Sequence, residues 1–170
     1  MFNRDIEQRI EDFVARSNIP HLQVELWHQG QTFAQSYGYD VNPDVDVFEI
    51  GSVGKTFTAS LLAVLDEQGV VSLQDKVSKY KPELAFADDI TLFDLVTHTA
   101  GLPSYPFTGL ILNVDKALRD FSEADYVDAL KQVKAPLKTG KIAYSNFGMA
   151  LLGNLLAEHL GMSYEVAVKT

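Results

Sequence analysis

The sequence predicts an α+β fold in which a short antiparallel hairpin is set among helices. Three observations carry this. An amphipathic helical pattern opens the chain, an alternating pattern broken by a Gly-containing turn follows it, and four later segments show helical periodicity ending at Gly or Pro.

Taken in order, Phe2, Ile6, Ile10, Phe13 and Val14 recur at helical spacing among charged residues, so a helix is expected up to about Ser17 and Pro20, with one face on a sheet. Leu22, Val24, Leu26 and Trp27 precede His28-Gln29-Gly30-Gln31, and Thr32 to Tyr37 follow it, which predicts a hairpin closed by Gly38 and Pro43, with Trp27 in strand packing. From Ser52 to Gln68 there is no Pro; Phe57, Leu61, Leu62 and Leu65 form a stripe that stops at Gly69, a natural residue after a helix end. Thr91 and Asp94 have capping-box spacing before a short helix, and Ser122 starts another that carries Tyr126, Val127 and Leu130 and stops before Pro136. A last long helix is expected from about Asn146 to Leu160, and Ser163 reads as the N-cap of a further one. The apolar pattern of Tyr164, Val166 and Val168 is still open at Thr170, so the chain is expected to be part of a longer protein. The organisation read from this is 1–69 for the sheet part with its helix, 70–161 for a mainly helical lobe, and 162–170 for the start of a continuation.

Composition narrows the function. With 14 Lys plus Arg against 23 Asp plus Glu, the 170 residues carry a net charge of −9 and no dense basic run, which argues against nucleic-acid binding. No cysteine is present, so thiolate metal sites, disulfides and a Cys nucleophile are excluded. The four His show no ligand spacing, which argues against a structural zinc site. No apolar run reaches the ~18–20 residues that span a bilayer. Localisation stays open: cytoplasmic if Met1 is the native start, periplasmic or extracellular if a signal has been removed.

Ser52-Val53-Gly54-Lys55 places a hydroxyl and an ammonium one turn apart at the start of a predicted helix, where backbone N–H groups and the helix dipole favour developing negative charge. The motif needs only two residue types, and Ser78-Lys79-Tyr80-Lys81 repeats it; there Pro82 draws Lys81 out of helical geometry. Tyr144-Ser145-Asn146 stands just before the last long helix. A phenol titrates near ~10, and a neighbouring ammonium favours its ionised form, so Tyr144 can serve as a general base, while the Asn146 amide can bind a carbonyl or steady Lys55. The bland alternative makes Ser52 an N-cap, Lys55 a solvated cation and Tyr144 a core aromatic. A second rival treats Gly51-Ser52-Val53-Gly54-Lys55-Thr56 as part of a P-loop nucleotide site with Leu61 to Asp66 as its acidic strand; it fails because Glu49 stands where the first glycine belongs.

These blocks, joined by F-E-I-G before Ser52, K-T-F-T-A-S-L-L-A-V-L-D-E-Q-G after it, I-T-L-F-D-L-V-T-H-T-A-G-L-P-S, and F-G-M-A-L-L-G after Tyr-Ser-Asn, resemble the serine β-lactamase and penicillin-binding protein superfamily. Tyr-Ser-Asn as the second motif is similar to the class C β-lactamases, D-alanyl-D-alanine peptidases and related esterases and amidases. The likeness runs from about Pro20 to Gly161. It implies an antiparallel sheet flanked by helices plus a helical lobe, and a serine hydrolase with Ser52 as nucleophile, Tyr144 with Lys55 as base, Asn146 as substrate contact, and no need of a metal or organic cofactor. The substrate it implies is a β-lactam, a D-alanyl peptide, an amide or an ester. Lys138-Thr139-Gly140 spells the family's third motif but lies too close to Tyr144 to form an opposite wall, so that motif and the second oxyanion donor are expected beyond residue 170. A non-catalytic or incomplete piece is the alternative, and association with another chain through the sheet is expected. His98 is read as structural, bonded to nearby backbone, and not as the base.

Overall fold

In the computed structural model the described residues are 4–38, 42, 47–84, 86, 88–105, 122–133 and 140–169. They belong to two compact units, Met1–Ile50 and Gly51–Thr170. Phe2, Pro43, Pro136, Lys138 and Thr139 lie outside the described residues.

In the first unit, α1 spans Arg4–Arg16 and leads to β1, His21–His28, and β2, Gln31–Gly38, paired antiparallel with Leu22 opposite Tyr37 and Leu26 opposite Phe33. Gln29 and Gly30 both have positive φ, 49° and 78°, the conformation that two-residue hairpin turns require. Gly38 is at φ 104°, and a Cβ there would run into the Pro20 carbonyl, so no other residue fits. Leu22, Val24 and Leu26 alternate half-buried with exposed neighbours, and Ile10 and Val14 of α1 are half-buried too. The expected apolar faces are narrower than their sequence patterns: Ile6 and Phe13 are exposed, and Trp27 is 74% exposed instead of packed. Trp27 falls on the opposite face of the pleat from Leu22, Val24 and Leu26, so the alternation that buries those three turns it outward.

The second unit is helical. A 3-10 turn, Gly51–Val53, runs into α2, Gly54–Glu67. Later come α3, Leu92–Val96, α4, Glu123–Gln132, α5, Asn146–His159, and α6, Tyr164–Ala167. The core gathers Leu61, Leu62 and Leu65 from α2, Leu92 and Leu95 from α3, and Leu151, Leu152, Leu155 and Leu156 from α5. Helix α5 touches α2, α3 and α6, which is why it is apolar on most of its circumference. In α2 the buried stripe is Thr58, Leu61, Leu62 and Leu65, and Phe57 lies at its edge, half out of the protein. Capping boxes open α3 (Thr91 with Asp94) and α4 (Ser122 with Asp125), and Ser163 accepts the Val166 N–H at the start of α6. Leu61 to Asp66 lies wholly within α2, so the acidic strand that a P-loop reading needs does not exist. In the second Ser-x-x-Lys, Lys79 pairs with Asp75 at 2.8 Å and Lys81 pairs with Glu158; both ammonium groups serve surface ion pairs. No described helix is long and apolar enough to cross a membrane, and the described residues hold no cluster of three His, Asp or Glu placed to bind a metal ion.

Candidate active site

Ser52 lies in the 3-10 turn, two residues before the first residue of α2; Lys55 is the second residue of α2. The turn of chain between them brings the Lys55 ammonium to donate to Ser52 Oγ at 3.1 Å. The third group arrives from far along the chain. Tyr144, 92 residues on, donates its phenolic O–H to the same Ser52 Oγ at 2.7 Å, and Lys55 Nζ lies 5.0 Å from the centre of its ring. Hydrogen bonding from Lys55 and to Ser52, together with the Lys55 charge, holds the Tyr144 phenol below its ordinary value; the little burial it has acts the other way. Its ring is half exposed, so the cluster faces an open surface.

Tyr144 is positioned by a zipper of hydrogen bonds between segments 98–104 and 143–147. Ala143 N–H donates to the His98 carbonyl at 2.8 Å and Ser145 N–H donates to His98 Nδ1 at 3.2 Å. Ser145 Oγ donates to the Pro103 carbonyl at 2.6 Å and accepts the Gly148 N–H at 2.8 Å, so one buried hydroxyl both caps α5 and ties it to the preceding loop. The N–H groups of Asn146 and Phe147 donate to the Ser104 carbonyl at 3.0 and 3.2 Å. The other end of this loop is fixed by Asp94, which is buried and accepts from Thr91 N–H at 2.9 Å, Thr91 Oγ1 at 2.6 Å and Thr99 Oγ1 at 3.2 Å.

Asn146 is the first residue of α5. With Gly51, Lys55, Thr58, Met149 and Tyr164 it lines a depression of about 400 Å³. Asn146 also lines a larger hollow of about 600 Å³, but Ser52, Lys55 and Tyr144 have no part in that one. The four residues singled out from sequence therefore divide three and one: Ser52, Lys55 and Tyr144 share a hydrogen-bonded cluster, and Asn146 shares a depression with Lys55. Two contributions had no separate sequence reading. Ser145 was legible only as a hydroxyl before a helix, and the Thr58–Tyr164 hydroxyl pair, 2.6 Å apart across 106 residues, carried no local signal.

Comparison with known proteins gives this cluster a context. The beta-lactamase family profile matches residues 6–170. The chain belongs to the beta-lactamase family. It is 30% identical over 177 residues to a beta-lactamase of Escherichia coli (strain K12), a match covering 99% of this chain and 45% of that protein. Among solved structures it is similar to a class C beta-lactamase from Rhodobacter sphaeroides, with 30% identity and a TM-score of 0.73 over 98% of this chain and 47% of that one. The D-amino acid amidase from Ochrobactrum anthropi SV3 shares the fold at 23% identity and a TM-score of 0.79, over 99% of this chain and 48% of the amidase. The chain thus spans under half the length of each of these three proteins.

Proposed function

We propose that the protein carrying this chain is a serine hydrolase of the class C β-lactamase type, working through an acyl-enzyme on Ser52. The observation that carries the proposal is the convergence of Tyr144 and Lys55 on the single oxygen of Ser52, at 2.7 and 3.1 Å. With the phenol ionised, the Tyr144–Ser52 contact reverses: Ser52 Oγ–H donates and Tyr144 accepts. Ser52 Oγ then forms its bond to the substrate carbonyl carbon as its proton passes to Tyr144. Collapse of the tetrahedral intermediate breaks the bond to the leaving group, which takes that proton. Water next attacks the acyl-enzyme, loses its proton to Tyr144, and restores the Ser52 hydroxyl as the acid departs. Lys55 keeps Tyr144 ionisable by its positive charge, Asn146 holds the substrate carbonyl side, and the Ser52 N–H supplies one oxyanion donor.

The substrate class is a β-lactam, a D-alanyl peptide, an amide or an ester: a carbonyl compound of low molecular weight or a short peptide. The test is transient kinetics on the full-length protein with an activated ester and with a chromogenic β-lactam. A burst of one leaving group per enzyme is expected, and Ser52→Ala should abolish it. A burst that persists in that variant removes Ser52 from the mechanism.

A further inference from the structure

We propose that His98 is the positioning residue for Tyr144, acting as a neutral imidazole whose Nδ1 lone pair and whose own carbonyl grip the chain on both sides of the phenol. Tyr144 sits between the two bonds: its predecessor Ala143 donates to the His98 carbonyl at 2.8 Å, and its successor Ser145 donates to His98 Nδ1 at 3.2 Å. The imidazole also lies against the phenol ring, with centroids 4.6 Å apart and planes tilted by 39°. His98 makes both contacts at φ 60°, in the left-handed region, which among non-glycine residues Asn, Asp and His adopt most readily.

A ring nitrogen that accepts a backbone N–H must be unprotonated, so the proton of this neutral imidazole is on Nε2. Burial and the Lys55 ammonium both hold His98 below its ordinary value, which keeps it neutral across the range in which Ser52 would react. Among the described residues, the titratable groups facing it are Lys55, from α2, and Tyr144 itself. Once His98 is protonated, Nδ1–H confronts the Ser145 N–H, donor against donor, and the grip on Tyr144 opens on that side. The acid side of the acylation profile then contains two events: protonation of the base, and, at lower pH, release of the segment that carries it.

This inference rests on the acyl-enzyme reading, and two measurements separate their fates. The first is ¹⁵N NMR of the imidazoles in the full-length protein near neutral pH, which needs no activity. His98 Nδ1 is expected to resonate as an unprotonated, hydrogen-bond-accepting nitrogen and Nε2 as a protonated one; a protonated Nδ1 overturns the proposal. The second is the burst rate with an activated ester as a function of pH. His98→Asn keeps an acceptor near the Nδ1 position and tolerates the left-handed backbone, but does not titrate. It should stay within about 3-fold of wild type at neutral pH and lose the lower of the two acid inflections. His98→Phe keeps a ring but no acceptor, and should be slower by about 10²-fold, the cost of a displaced catalytic group. Failure of Ser52→Ala to abolish the burst would remove the acyl-enzyme reading while leaving the NMR result intact. Persistence of both inflections in His98→Asn, or a His98→Phe rate equal to wild type in a folded protein, overturns the role of His98.

Discussion

Ser52 oxygen receives a phenol and an ammonium at once, and each neighbour alters what the other can do. An isolated phenol titrates near ~10 and is a poor base near neutrality; Lys55 lowers the cost of ionising it. In the proposed mechanism the reactive form is the phenolate, so activity is expected to rise with pH through the Tyr144 titration, which lies below its ordinary value. Removing the ammonium must move the rise upward. Lys55→Ala is therefore expected to slow acylation by about 10²–10⁴-fold and to shift the Tyr144 inflection to higher pH, as read from burst rates across pH. Tyr144→Phe should show a loss of similar size with that inflection gone. A Lys55→Ala profile displaced to lower pH would contradict the electrostatic role.

At the scale of the element, legibility followed the range of the interaction. The helices, the hairpin turn and the Thr91–Asp94 box depend on neighbours within four residues, and each was readable from spacing. Phe57 and Trp27 were read as packed because they are large and apolar; whether such a residue is covered depends on its exact position around the helix or across the pleat, and both turn outward. The Ser52–Lys55 pair was local and legible, while Tyr144 joined it only through likeness to a family, since nothing within its own segment points to a serine 92 residues away. The same holds for Ser145, whose capping bond is local but whose bond to Pro103 is not. Ser145→Ala removes both, and should destabilise the protein by about 1–3 kcal/mol, measured as a lower urea midpoint with unchanged slope. Thr58→Val tests the link of α2 to α6: Tyr164 loses its hydroxyl partner, and a smaller loss of about 1 kcal/mol is expected from the same measurement.

At the scale of the molecule, the described surface carries features that invite company. The hairpin is a two-stranded sheet among the described residues, and in the second unit Val53, Phe57 and Val64 leave apolar surface exposed. Exposed apolar surface promotes association. A protein of residues 1–170 alone is expected to self-associate in light scattering, where the full-length protein does not. Under the proposed function, in which a second oxyanion donor comes from outside these 170 residues, the same short protein should turn over substrate about 10²–10³-fold more slowly, the cost of one missing donor. A monodisperse monomer of 1–170 with full activity would defeat both expectations. The central claim, that Ser52 is the acylated residue, is tested most directly by peptide mass mapping of the full-length protein after reaction with a reporter penicillin or an activated ester. The account predicts one adduct, on the peptide containing Ser52, absent from Ser52→Ala. An adduct on Ser78, the serine of the second Ser-x-x-Lys, or labelling that survives Ser52→Ala, would contradict it.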